Sequence, residues 1–201
     1  MVRVYFIRHG EVDNPRGVIY GRLPGFGLTS LGKKQAGKAG EHLISLGAKP
    51  EVIITSPLLR TKATAGILGG FFPKVEIVEE KEIIEGDVGW EGKIEADLVK
   101  KRVFDLYLNT PSKLKTGETF SGIQQRGVQW LKNFLSKKKY QEFIVVSHKD
   151  VIRTLTIFLE GRLLDDFVKI PCNHASITSV VVDLKLKLLK PIEYWEPEAE
   201  D

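Results

Sequence analysis

The chain has 201 residues, 42% hydrophobic and 28% charged, enough for one substantial buried core and not for two. Its 30 basic and 26 acidic residues leave a formal charge of +4, and a run of acids sits at 196–201, so the rest is mildly basic and suited to some anionic partner. A single cysteine, Cys172, excludes an intramolecular disulfide and a cysteine-rich zinc cluster, and no stretch approaches the roughly 20 apolar residues that span a bilayer.

Residues 2–7 are β-branched and aromatic and predict a strand; the run is too short for a signal peptide, and Arg8-His9 interrupts it. Leu31, Gln35, Ala39, Leu43 and Leu46 follow at helical spacing, and residues 52–54 and 75–78 repeat the strand pattern. Phe120, Ile123, Trp130, Leu131 and Phe134 mark a second helix, residues 143–146 another strand, and 177–184 and 187–194 two strands around a tight turn. Nearly continuous apolar strands alternating with helices imply a sheet covered on both faces. The expected fold is a three-layer α/β/α sandwich, its central sheet mostly parallel with an antiparallel edge strand. No linker, repeat or low-complexity tract divides the sequence, so one domain over 1–201 is expected, in the cytoplasm and without a membrane partner.

The chemistry gathers at strand ends. The first strand runs into Arg8-His9-Gly10, at the carboxyl edge where open α/β sheets bind ligands. Arginine offers a planar fork that matches phosphate oxygens, and a neutral imidazole can attack phosphorus and later depart. After the second strand, Ser56 is placed to cap a helix begun by Pro57, with Arg60 in its first turn. The strand at 143–146 runs into Ser147-His148-Lys149-Asp150, a second histidine at a strand end just before a helix. Two histidines and two arginines converge on one edge only if the sheet is parallel, as the alternation independently requires. Asn14 and Arg22, in a loop of turn formers, are candidates for the substrate side. Arg153 reads as a structural tie, His42 as a helix-surface residue and His174 as a pocket-wall candidate.

In this order and spacing, FIRHGEV, GRLPGFGLTSLGKKQA, SPLLRTKATA, IIEGDVGWEGK, TGETFSGIQQR and VVSHKDVIRTL make the chain resemble the histidine phosphatase superfamily, which includes the cofactor-dependent phosphoglycerate mutases. The resemblance implies that His9 becomes phosphohistidine while Arg8, Arg60 and His148 hold the transferred group. It also implies a general acid in the loop after the third strand, where Glu85 matches best and Glu82 and Glu91 compete. An asparagine near Asn14 helps hold phosphate in the family, and Arg22 falls where a substrate contact is expected. Lys149 stands where the family often has glycine.

The expected activity is hydrolysis of small phosphomonoesters, without metal or other cofactor. The alternative is a phosphoglycerate mutase primed by 2,3-bisphosphoglycerate; the segment at 93–114 is short for the insertion that shields the intermediate in such mutases. A non-catalytic phosphate-binding protein is disfavoured, because histidines, arginines and acid are all present. Dispersed basic residues without an aromatic-basic motif argue against nucleic acid. The Leu/Lys alternation near 184–190 suits a water-facing edge and a possible homodimer.

Overall fold

A computed structural model describes residues 1–87, 89–100, 105–110, 112 and 117–198. Strands β1 (Val2–Arg8), β2 (Val52–Thr55), β3 (Glu76–Glu79), β4 (Glu142–Ser147), β5 (Ile177–Val182) and β6 (Glu193–Trp195) form one sheet in the order β3-β2-β4-β1-β5-β6. The first four run parallel, and β5 and β6 add antiparallel pairings on the β1 side. The connecting helices are α1 (Ser30–Ser45), α2 (Leu59–Phe71), α3 (Glu95–Lys100), α4 (Asp105–Asn109), α5 (Phe120–Ser136) and α6 (Lys149–Glu160).

Period-two alternation splits each central strand between two cores, which is why these strands read as unbroken apolar runs. Val4 and Phe6 of β1, Ile54 of β2, and Phe143 and Val145 of β4 pack with Phe120, Ile123 and Leu131 of α5 and with Val151 and Leu155 of α6. On the opposite face, Tyr5, Ile7, Ile53, Ile144 and Val146 pack with Ala39 and Leu43 of α1 and with Ala65 and Leu68 of α2. The three-layer sandwich follows. Thr29 and Thr119 cap α1 and α5, their hydroxyl oxygens accepting from Gly32 N and Gly122 N at 2.9 and 3.0 Å.

Three local expectations change. α2 starts at Leu59 rather than Pro57 and has no side-chain cap, because the Ser56 hydroxyl is spent on His148. β3 is exposed along its length despite its apolar pair, since it pairs only with β2 and its two glutamates face water at the sheet edge. The return limb after the β5 turn is shorter than residues 187–194. Val182 faces Leu188 but Ser179 faces Glu193, so five steps along the limb match three along β5, and Pro191 lies in the interruption. His42 is half-buried, stacked at 4.3 Å on Trp195, which ties α1 to β6. The part of the 93–114 segment at 101–104, 111 and 113–114 lies outside the described residues.

The segment after β1 is pressed against α1. A Cβ on Gly10 would strike the backbone of Gly32, and a Cβ on Gly32 the backbone of Glu11. Neither contact ends in a flexible side chain that can swing aside. Gly32→Ala should therefore destabilise the fold by about 1–3 kcal/mol, outweighing the roughly 1 kcal/mol that alanine gains in a helix. Chemical denaturation checks this, and an unchanged or raised midpoint would contradict the close approach.

Candidate active site

Register carries the functional residues to one edge. Arg8 lies opposite Ser147, and Thr55 opposite Val146, so the next residues along each strand, His9, His148 and Ser56, emerge side by side. His9 N donates to Ser147 O at 3.1 Å, and Ala175 N donates to His9 O at 3.2 Å, so its backbone is held from both sides. The two histidine rings meet edge to face with centroids 5.3 Å apart, and both are buried.

His9 Nδ1 lies 2.8 Å from Gly10 O. A carbonyl can only accept, so Nδ1 carries the proton and Nε2 keeps its lone pair. Burial, reinforced by His148, Arg8 and Arg60, holds the His9 pKa well below its ordinary value, so the imidazole is neutral. His148 is held neutral in the same way, by burial and then by Arg60 and Arg8. Its Nε2 lies 2.8 Å from Ser56 Oγ. If the Ser56 hydroxyl donates there, the ring proton sits on Nδ1, which is buried without a hydrogen-bond partner.

The arginines are anchored by part of each guanidinium. Arg8 donates from Nη1 to Cys172 O at 2.8 Å and pairs through Nη2 with His174 Nε2 at 2.9 Å. Fully buried Arg60 donates from Nη2 to Gly21 O at 2.7 Å and stacks under the Tyr20 ring at 4.7 Å. The Nε of each is buried and unpaired, as is His148 Nδ1. Buried donors normally find partners, so three orphans around one histidine mark a place for an anion.

Glu85 brings a carboxyl group to the same place. It lines a cavity of about 340 Å³ together with Arg8, His9, Tyr20, Lys149 and His174. Its Oε2 stands 3.8 Å from His148 Nδ1, and its Oε1 accepts from Gly86 N at 3.0 Å. Burial and then the Asp150 carboxylate raise its pKa from 4.5 to about 7, against the pull of Arg60. Of the competing carboxylates, Glu82 is exposed and outside this cavity, and Glu91 has a buried Oε1 beneath Gly21 and does not line it.

Asn14 and Arg22 are committed elsewhere in this structure. The Asn14 amide donates to Val18 O at 2.9 Å and accepts from Val18 N at 3.2 Å, closing its own loop. Arg22 donates from Nε to Glu85 O and from Nη2 to Glu118 Oε2, both at 2.7 Å, and Glu118 also pairs with Arg126. Arg126 in turn donates to Ile84 O at 2.6 Å, so the acid-bearing segment is buckled from both sides. Arg153 stacks on Phe167 at 5.1 Å, away from the cavity. His174, held neutral with a pKa lowered to about 3 by burial and by Arg8 and Lys149, is a wall of the site.

Sequence reading passed over Tyr107 and left Asp150 without a role. Tyr107 Oη donates to Asp150 Oδ1 at 2.9 Å, both buried, and the pair sits beside Glu85. The signal available was an acid directly after the second strand-end histidine and its lysine. Among the described residues, no group of three or more histidine, cysteine, aspartate and glutamate side chains converges as a metal-ligand set.

A family model for the histidine phosphatase superfamily, branch 1, matches residues 4–190. An uncharacterized protein of Mycobacterium tuberculosis is 30% identical over 193 residues, covering 90% of each chain. Phosphoserine phosphatase 1 of Hydrogenobacter thermophilus is 30% identical over 186 residues, 90% of this chain and 86% of that one. Among solved structures, YhfR of Bacillus stearothermophilus superposes with a TM-score of 0.82 at 25% identity, covering 91% of this chain and 92% of its own.

The Glu85 environment predicts a stability signature. Its pKa is higher folded than unfolded, so its contribution is fully present below about 4.5 and is lost as pH rises through about 7. Above that, ionised Glu85 costs the fold roughly 3 kcal/mol. Glu85→Gln should raise the melting temperature at pH 8 and leave it nearly unchanged at pH 4.5; an equal shift at both would remove the case for a perturbed carboxyl.

Proposed function

The chain belongs to the histidine phosphatase superfamily, and from that premise we propose that it is a metal-independent phosphatase that hydrolyses small phosphomonoesters through a phosphohistidine on His9. The observation that carries this reading is the tautomer of His9, whose Nε2 lone pair stays free beside buried, unpartnered donors of Arg8, Arg60 and His148. The relative named as a phosphoserine phosphatase supports hydrolysis as the outcome.

His9 Nε2 attacks phosphorus, and the bond from phosphorus to the ester oxygen breaks in line. Arg8 and Arg60 neutralise the equatorial oxygens and His148 donates to one of them, which supplies the charge stabilisation that phosphoryl transfer chiefly demands. Protonated Glu85 gives its proton to the departing oxygen. Water then attacks phosphohistidine, Glu85 takes back a proton, and the bond from phosphorus to nitrogen breaks to release phosphate. A carboxyl titrating near neutrality suits both half-reactions. Asn14 and Arg22 serve the site by shaping the loop over it and the segment bearing Glu85.

A mutase would share the first half-reaction and differ in its acceptor. Phosphorus NMR with 3-phosphoglycerate, a trace of 2,3-bisphosphoglycerate and EDTA should show free phosphate as the product, whereas rapid 2-phosphoglycerate without it would identify a mutase. His9→Ala should lower turnover of any substrate by on the order of a thousandfold or more, and undiminished turnover would overturn the mechanism. Glu85→Gln should slow alkyl phosphates by roughly 100-fold or more and p-nitrophenyl phosphate far less, because only the poor leaving group needs the proton. The rate on alkyl esters should fall as pH rises through about 7.

A further inference from the structure

Lys149 is a cation the mechanism above does not use. It is the first residue of α6, where the helix dipole disfavours positive charge, so its position runs against its local electrostatics. It lines the same cavity as His9 and Glu85. Its ammonium stands 5.7 Å over the Tyr107 ring, whose hydroxyl is tied to Asp150, and among the described residues it makes no ion pair. Tyr107 packs edge to face on Phe120 and Phe167, which fixes the platform beneath the ammonium. His174, bonded to Arg8, lies within the field of both Arg8 and Lys149.

We propose that Lys149 is a specificity residue that binds a carboxylate on the substrate, so the preferred substrates are small phosphomonoesters carrying a carboxylate group. The phosphoryl oxygens already have three buried donors, which leaves Lys149 for a second anion. Asp150 and Glu95 line the same cavity, so a dianion bound there meets more repulsion than a carboxylate does, which favours a carboxylate over a second phosphate. This rests on the phosphatase reading for the placement of the ester.

The test compares D-3-phosphoglycerate with sn-glycerol 1-phosphate, which share the configuration at C2 and differ only in carboxylate against hydroxymethyl. Binding is measured by calorimetry in the His9→Ala background, where turnover cannot interfere, and kcat/KM in the His9 protein. With Lys149 present, 3-phosphoglycerate should bind at least tenfold tighter. Lys149→Met should bring that ratio below about threefold, and Lys149→Arg should keep most of it. A ratio unchanged by Lys149→Met, including an equal loss for both ligands as expected if Lys149 holds the transferred phosphate, would overturn the proposal, as would a ratio near one with Lys149 present. Absence of turnover on both esters with the binding preference intact would count against the phosphatase reading while upholding the role of Lys149.

Discussion

Everything in this site depends on the register of three parallel strands. β1, β4 and β2 end within one residue of one another, and the next residue of each is His9, His148 or Ser56. A slip of one residue in a strand exchanges its faces, driving core side chains toward the opposite layer. The two apolar layers that hold the sheet are thus also what aims the histidines. Stability and chemistry share a cause here, since the burial that anchors Val146 and Ile7 also removes water from the rings beyond them.

Burial then sets the electrostatics. Arg8, Arg60 and the two histidines sit close together, and desolvation resolves the conflict by keeping both imidazoles neutral while the guanidinium groups stay charged. The same low-dielectric pocket keeps Glu85 protonated near neutrality, with Asp150 supplying the like charge that adds to desolvation. His9 and Glu85 are both pushed toward their neutral forms by one environment acting on groups of opposite charge type.

The fold and the meeting of two histidines and two arginines at one sheet edge were legible because they depend on local rules. Apolar runs of strand length, helical spacing between them and a histidine directly after a strand all survive folding without rearrangement. The details that were not legible involve competition for partners. Ser56 has the chemistry of a helix cap, but a histidine 92 residues away claims its hydroxyl. Asn14 and Arg22 carry the right groups for a ligand, and in this structure part of each is spent within the protein, on Val18 and on Glu85 O and Glu118. Tyr107 and Asp150 become a pair only once α4 packs beside the start of α6, a contact with no sequence period. The apolar pair of β3 was misleading because the strand has a neighbour on one side only.

Arg8 has one consequence for the order of assembly. It lies near the start of the chain, but Cys172 and His174, which receive its guanidinium, come 164 and 166 residues later. During synthesis His9 and Arg8 leave the ribosome long before the carbonyl and imidazole that orient the guanidinium. Closing so long a loop is entropically slow relative to local helix formation. Until β5 docks beside β1, the nascent protein has His9 next to an arginine with no fixed direction. The site is therefore completed late, when nearly the whole sheet is in place, and a partly made chain has little ordered structure around these residues.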